Sequence, residues 1–97
     1  MSDRKTLMIE KSDAFLTLPG GLGTLDELFE VWTTAMLGQH RKPIALLDVD
    51  GFYGGLVDWL VGLAGGAFVR PEALKLLIVA DTVPAALDAI EQRLTLG

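Results

Sequence analysis

Three short, predominantly apolar runs constrain the fold of this chain more than any other feature: Ala14-Phe15-Leu16-Thr17-Leu18, Ile44-Ala45-Leu46-Leu47 and Leu76-Leu77-Ile78-Val79-Ala80. Runs of four or five such residues, bounded by turn formers, read as strands buried on both faces. The first stops at Pro19 and a glycine cluster; the second follows Lys42-Pro43 and leads into the turn-like Asp50-Gly51. Between the runs the apolar spacing is helical. Leu25, Leu28, Phe29, Trp32, Ala35 and Met36 form an i, i+3, i+4, i+7 stripe that predicts a helix over 24–37, closing near Gly38. A second helix is predicted over 52–64, with Leu56, Leu60 and Leu63 on one face and Gly65-Gly66 as its stop. Arg70-Pro71-Glu72 opens a short helical turn, and Pro84 begins a last helix with Leu87, Ile90 and Leu94 predicted inward and Asp88, Glu91 and Gln92 outward. Residues 3–13, with Leu7, Met8 and Lys11 at helical spacing, predict a helix ahead of the first strand. Strands alternating with helices make βα units, hence an α/β fold with a parallel sheet flanked by helices. Three strands are half of a doubly wound sheet, so residues 1–97 read as a single domain that is one half of such a fold.

Composition narrows the function classes. Thirteen acidic residues against eight basic give a net charge of −5, which argues against a nucleic-acid backbone as partner. With no cysteine, disulfides and thiolate metal sites are excluded and a reducing, cytoplasmic setting is expected. Every long apolar stretch is broken within about ten residues, short of the ~18–20 that span a bilayer, and no secretory signal is evident. Yet 51% of the residues are hydrophobic and the mean hydropathy is +0.42, rich for so short a chain. Small domains are mostly surface, so an apolar patch is expected to be covered in a homodimer or larger homo-oligomer.

The chemistry concentrates in Leu18-Pro19-Gly20-Gly21-Leu22-Gly23-Thr24-Leu25-Asp26-Glu27, a glycine-rich turn between a strand and a helix. Backbone N–H groups at such a turn, together with the helix dipole, suit a phosphate. Glycine permits positive φ and close approach to a ligand, and open α/β sheets bind ligands at this carboxyl end of their strands. The same glycines also fit a tight connection that binds nothing. The pattern is neither G-x-G-x-x-G nor a P-loop. Glu27 likewise has two roles open to it. Thr24-Leu25-Asp26-Glu27 fits a capping box with Thr24 as N-cap; alternatively the Glu27 carboxylate lies beside a bound ligand as a base or as a stabiliser of cationic charge.

Other polar residues point to less. Arg4 and Lys5 fit a solvated helix face, although Arg4 could hold a phosphate or carboxylate with its fork. His40, in Gln39-His40-Arg41-Lys42, has no nucleophile or metal ligand at useful spacing and reads as a packing residue. Trp32 and Met36 read as core. Asp48 and Asp50 are two acids without a third, a weak metal signal.

Pro19-Gly20-Gly21-Leu22-Gly23-Thr24-Leu25-Asp26-Glu27 resembles the PGGxGTxxE signature of the Lonely-guy family. Its flanks agree: Met1-Ser2-Asp3-Arg4-Lys5 resembles the family's MHxRK segment, Leu37-Gly38-Gln39-His40-Arg41-Lys42-Pro43 its LGxHxKP loop, and Leu47-Asp48-Val49-Asp50-Gly51-Phe52-Tyr53 its LLxVDGYY turn. The chain departs from the family at Ser2 or Asp3, where a histidine is usual, and at Thr34 and Met36, where Trp and Gln are frequent. The resemblance implies a Rossmann-like parallel sheet of which this chain is the C-terminal half. It also implies hydrolysis of the N-glycosidic bond of adenosine 5′-monophosphate or a prenylated form of it, giving free base and ribose 5-phosphate. Arg4 and Glu27 would be the catalytic pair, and Gly20, Gly21, Gly23 and Thr24 would hold the 5′-phosphate. No cofactor or metal is implied. A related reading is a nucleotide- or molybdenum-cofactor carrier that binds without hydrolysis.

Overall fold

The computed structural model describes residues 12–66 and 69–96. The helix expected over 3–13, and with it Arg4, lies outside them. The described chain runs β1 (Phe15–Thr17), α1 (Leu22–Met36), β2 (Ile44–Leu47), a 3-10 turn (Val49–Gly51), α2 (Gly54–Gly65), α3 (Pro71–Lys75), β3 (Leu77–Ala80) and α4 (Val83–Leu96). The strands form one parallel sheet in the order β1-β2-β3, with Phe15 opposite Ile44 and Ile44 opposite Leu77. This is the α/β parallel sheet flanked by helices that the alternating pattern implies.

Period-2 geometry sends the strand side chains into two cores. On one face Phe15, Ile44, Leu46 and Leu77 meet Leu28, Val31 and Trp32 of α1, Leu60 of α2 and Leu74 of α3. On the other, Leu16, Ala45 and Ile78 meet Ala89 and Ile90 of α4. The unevenness follows from topology. Two crossovers of one hand that step the same way across a sheet lay their helices on the same face, leaving α4 to cover the opposite one. The indole Nε1–H of Trp32 crosses the larger core to donate to the carbonyl of Ala73, 2.8 Å away, fastening α1 to α3.

Helix ends and faces depart from the sequence pattern in three places. First, α1 begins at Leu22, two residues before Thr24. Gly21 is its N-cap without a side-chain cap bond, and the Gly21 carbonyl accepts the Leu25 N–H at 3.1 Å. Gly23 costs the helix little in its first turn, where the N–H groups lack intrahelical partners in any case. Second, Met36 and Phe29 are exposed, while Val31, absent from the expected stripe, is buried beside Leu28 and Trp32. Third, α4 turns Ala86 and Ala89 inward. Ala86 and Ile90 are buried, whereas Leu87 and Leu94 are 52% and 49% exposed. Small side chains let this helix approach Ala45 and Ile78, which rotates Leu87 onto the flank; Leu94 lies a turn past Ile90. Thr82 caps this helix, its Oγ1 accepting the Ala85 N–H at 3.2 Å.

Two turns demand left-handed backbone. After α1, Gly38 has φ +80, with its N–H on the Ala35 carbonyl and the Gln39 N–H on that of Thr34. These are the paired bonds of a Schellman C-cap. After β2, Asp50 and Gly51 both have positive φ, +51 and +73. A Cβ at Gly38 or Gly51 would meet nothing within 4 Å, so the penalty for a side chain there is conformational rather than steric. Gly38→Ala and Gly51→Ala should each lose about 1–2 kcal/mol of unfolding free energy, read from urea midpoints at unchanged slope.

Candidate active site

The glycine turn sits where an open α/β sheet presents its ligands, between the carboxyl end of β1 and the amino end of α1. The N–H groups of Leu22, Gly23 and Thr24 precede the first intrahelical bond and so face whatever lies beyond the helix end. They carry the positive end of the helix dipole with them. Gly20, Gly21 and Gly23 are not among the described residues with positive φ, so left-handed backbone is not what these glycines supply, and only Gly20 is held to glycine by its neighbours. A Cβ on Gly20 would overlap the Thr24 hydroxyl and lie 2.9 Å from the Thr24 Cβ, whereas one on Gly21 or Gly23 would project into open space. The loop therefore has two sides. Gly20 packs on Thr24, and Gly21 and Gly23 leave the approach to the helix end clear.

Glu27 is not the N3 partner of a capping box. With the helix starting at Leu22, Thr24 itself is the third helical residue and Glu27 the sixth. Thr24, Glu27, Leu28 and Val31, at i, i+3, i+4 and i+7, instead face a cleft of about 480 Å3 that runs alongside β1 from Ser12 to Pro19. The structure thus brings Thr24 and Glu27 together on one wall, with Leu18 and Pro19, which lead into the glycine turn, in the same lining. A half-buried carboxylate there borders apolar Phe15, Leu28 and Ile44. A carboxylate of this kind can accept a proton from water or face developing positive charge on a ligand anchored at the helix end.

His40 and Asp48 have structural partners. The His40 Nε2–H donates to the Val31 carbonyl at 2.9 Å and its Nδ1 accepts the Lys42 N–H at 3.1 Å, so His40 pins the loop after α1, as its packing reading expects. Asp48 Oδ1 accepts the Tyr53 N–H at 2.7 Å. Among the described residues, no three His, Asp or Glu side chains converge as metal ligands, and no helix is long and apolar enough to cross a membrane. One residue of the site's surroundings escaped the sequence reading: the Tyr53 hydroxyl donates to the Leu18 carbonyl at 2.8 Å, across 35 residues of chain. Its signal was an aromatic with a polar tip just after the Asp50-Gly51 turn.

Known proteins are similar to this chain in sequence. A family profile described as "Possible lysine decarboxylase" matches residues 1–90. The chain belongs to this family. The Lonely-guy resemblance points to the same family, whose named members are phosphoribohydrolases. A cytokinin riboside 5′-monophosphate phosphoribohydrolase of Mycobacterium tuberculosis is 51% identical over 89 residues, which is 92% of this chain and 48% of that protein. A probable cytokinin riboside 5′-monophosphate phosphoribohydrolase of Oryza sativa subsp. japonica is 44% identical over 92 residues, 95% of this chain and 44% of its own length. An Arabidopsis thaliana protein with the same activity in its name is 42% identical over 92 residues, 95% of this chain and 43% of its own length. The chain spans about half the length of the curated relatives it matches.

The two sides of the glycine turn should separate on substitution. Gly20→Ala drives a methyl into Thr24 and should lose about 1–3 kcal/mol of stability. Gly23→Ala, unobstructed and helical, should gain about 0.5 kcal/mol. Thermal and urea unfolding of the two variants against the parent measures both.

Proposed function

We propose that this chain is the C-terminal half of a Rossmann-like phosphoribohydrolase domain. The reaction would release the base from adenosine 5′-monophosphate, or a prenylated form of it, as free base and ribose 5-phosphate. The observation that carries this reading is the shared wall of the β1 cleft, which sets Glu27 one helical turn beyond Thr24 and the open N–H groups of the glycine turn. The phosphate is held at the helix end by the N–H groups of Leu22, Gly23 and Thr24, with Gly21 and Gly23 leaving the approach unhindered and Gly20 packed on Thr24. That anchors the nucleotide at one end. The ribose then extends along the cleft toward Glu27, whose negative charge stabilises the oxocarbenium-like centre as the glycosidic bond breaks, or activates the incoming water. Arg4 is the proposed second member of the catalytic pair, matched by its place in the MHxRK-like segment. The names of the relatives support the substrate class.

The domain would work as a homo-oligomer. Leu22, at 86% exposure beside the glycine turn, and Trp59, at 61% on α2, leave large apolar side chains in water that association would cover. At micromolar concentration, sedimentation should show a species heavier than the 10.4 kDa chain; a well-behaved 10.4 kDa particle contradicts the assembly.

Glu27 gives the sharpest test of the chemistry. Glu27→Gln keeps the shape of the side chain and removes its charge, so the melting temperature should stay close to the parent's. Base release from adenosine 5′-monophosphate should fall on the order of 10²-fold or more, as when one electrostatic stabiliser is lost. Adenine release followed by chromatography measures it. Saturable nucleotide binding with no release by the parent would favour the carrier reading instead.

A further inference from the structure

We propose that Tyr53 is a positioning residue for the glycine turn, and that it acts by holding the Leu18 carbonyl from behind. The inference rests on the reading of that turn as a phosphate site. Tyr53 does not line the β1 cleft, so it cannot touch a nucleotide bound there; its effect must pass through the backbone. The backbone in question is short. Between the end of β1 and the first residue of α1 lie Leu18, Pro19, Gly20 and Gly21. Proline has no N–H to offer, and two adjacent glycines bring the largest conformational freedom of any residue pair. Two carbonyls tether this segment: Gly21 accepts the Leu25 N–H from the helix, and Leu18 accepts the Tyr53 hydroxyl at 2.8 Å.

Tyr53 is well fixed for such a task. Its ring is 3% exposed within the core that contains Leu28, Trp32 and Ile44, and it meets Phe52 edge to face at 4.8 Å. Its N–H donates to Asp48 Oδ1 at 2.7 Å, and its carbonyl accepts the Val57 N–H at 2.9 Å, which opens α2. Asp48 in turn donates its own N–H to the Ala80 carbonyl at 2.7 Å, at the end of β3. The chain reaches Tyr53 through the consecutive left-handed residues Asp50 and Gly51. Aspartate tolerates that region better than most residues but still carries a cost there. A turn that keeps such a residue, and then buries a phenol whose hydroxyl meets the carbonyl preceding Pro19, ties the phosphate turn to all three strands. Pre-ordering the turn spares a ligand the entropy of ordering two glycines.

Tyr53→Phe removes the hydroxyl and keeps the ring in the core. Two readouts test the proposal. In the free chain, amide hydrogen exchange at Leu25, whose N–H is held by the Gly21 carbonyl of the turn, should quicken by about tenfold, the weight of one hydrogen bond, while amides in α4 keep the parent's rates. By titration calorimetry, adenosine 5′-monophosphate should bind about tenfold more weakly, while adenosine, which lacks the phosphate, binds as to the parent. Exchange that is unchanged at Leu25, or that rises equally across the molecule, overturns the proposal and leaves Tyr53 an ordinary core residue. Equal weakening of both ligands overturns it too. A parent chain that binds adenosine 5′-monophosphate no better than adenosine defeats the phosphate reading itself, and turn anchoring by Tyr53 then stands or falls on exchange alone.

Discussion

The burial of β2 is the constraint on which everything else rests. Ile44, Ala45, Leu46 and Leu47 are all inaccessible, with a strand on each edge and helices on each face. A strand so enclosed can carry no polar side chain without an unpaired buried group, and this one carries none. Its neighbours inherit their positions from it. The pairing of Phe15 with Ile44 fixes where β1 ends, and therefore where Pro19 and the glycines leave the sheet. The pairing of Leu47 with Ala80, and the bond from Asp48 to the Ala80 carbonyl, fix where the chain turns toward α2. The candidate site is thus set by sheet register before any of its own side chains acts.

The sheet and its helices were legible because their signals are local and redundant. Predominantly apolar runs at 14–18, 44–47 and 76–80 admit little besides strands, although only the middle one is buried throughout, and Gly38 announces the end of α1 as the Schellman turn requires. What escaped was decided by contacts distant in sequence. Hydrophobicity alone favours Leu87 and Leu94 for the inner face of α4, but close approach to Ala45 and Ile78 selects Ala86, Ala89 and Ile90. Helical spacing alone puts Met36 and Phe29 inside α1's stripe and omits Val31, because it does not say which flank a three-stranded sheet can cover.

At the site the motif was plain and its mechanics were not. Thr24 and Glu27 have the spacing of a capping box, and a pattern of that kind carries no mark of where the helix truly begins. Gly21 proved able to start it earlier. That shift of two residues moves Glu27 from the helix end to the wall of the cleft. Positive φ is not what the glycines supply, and only Gly20 is held to glycine by its neighbours. For Tyr53 the sequence offers an aromatic with a polar tip after the Asp50-Gly51 turn, but nothing local names the Leu18 carbonyl, 35 residues away, as its partner.

The parallel arrangement also governs how such a chain must fold. Parallel strands cannot be joined by a hairpin, and here each pairing must first close a loop of about thirty residues, at a chain-entropy cost of about 3 kcal/mol. No part of the sheet can zip outward from a tight turn. Among the described residues it is the helices that can gain structure locally and early, so the rate-limiting event should be their docking onto a forming β2. Contacts of such long sequence separation slow folding, and until docking succeeds the apolar runs that become β1 and β3 stand exposed as unpaired edges.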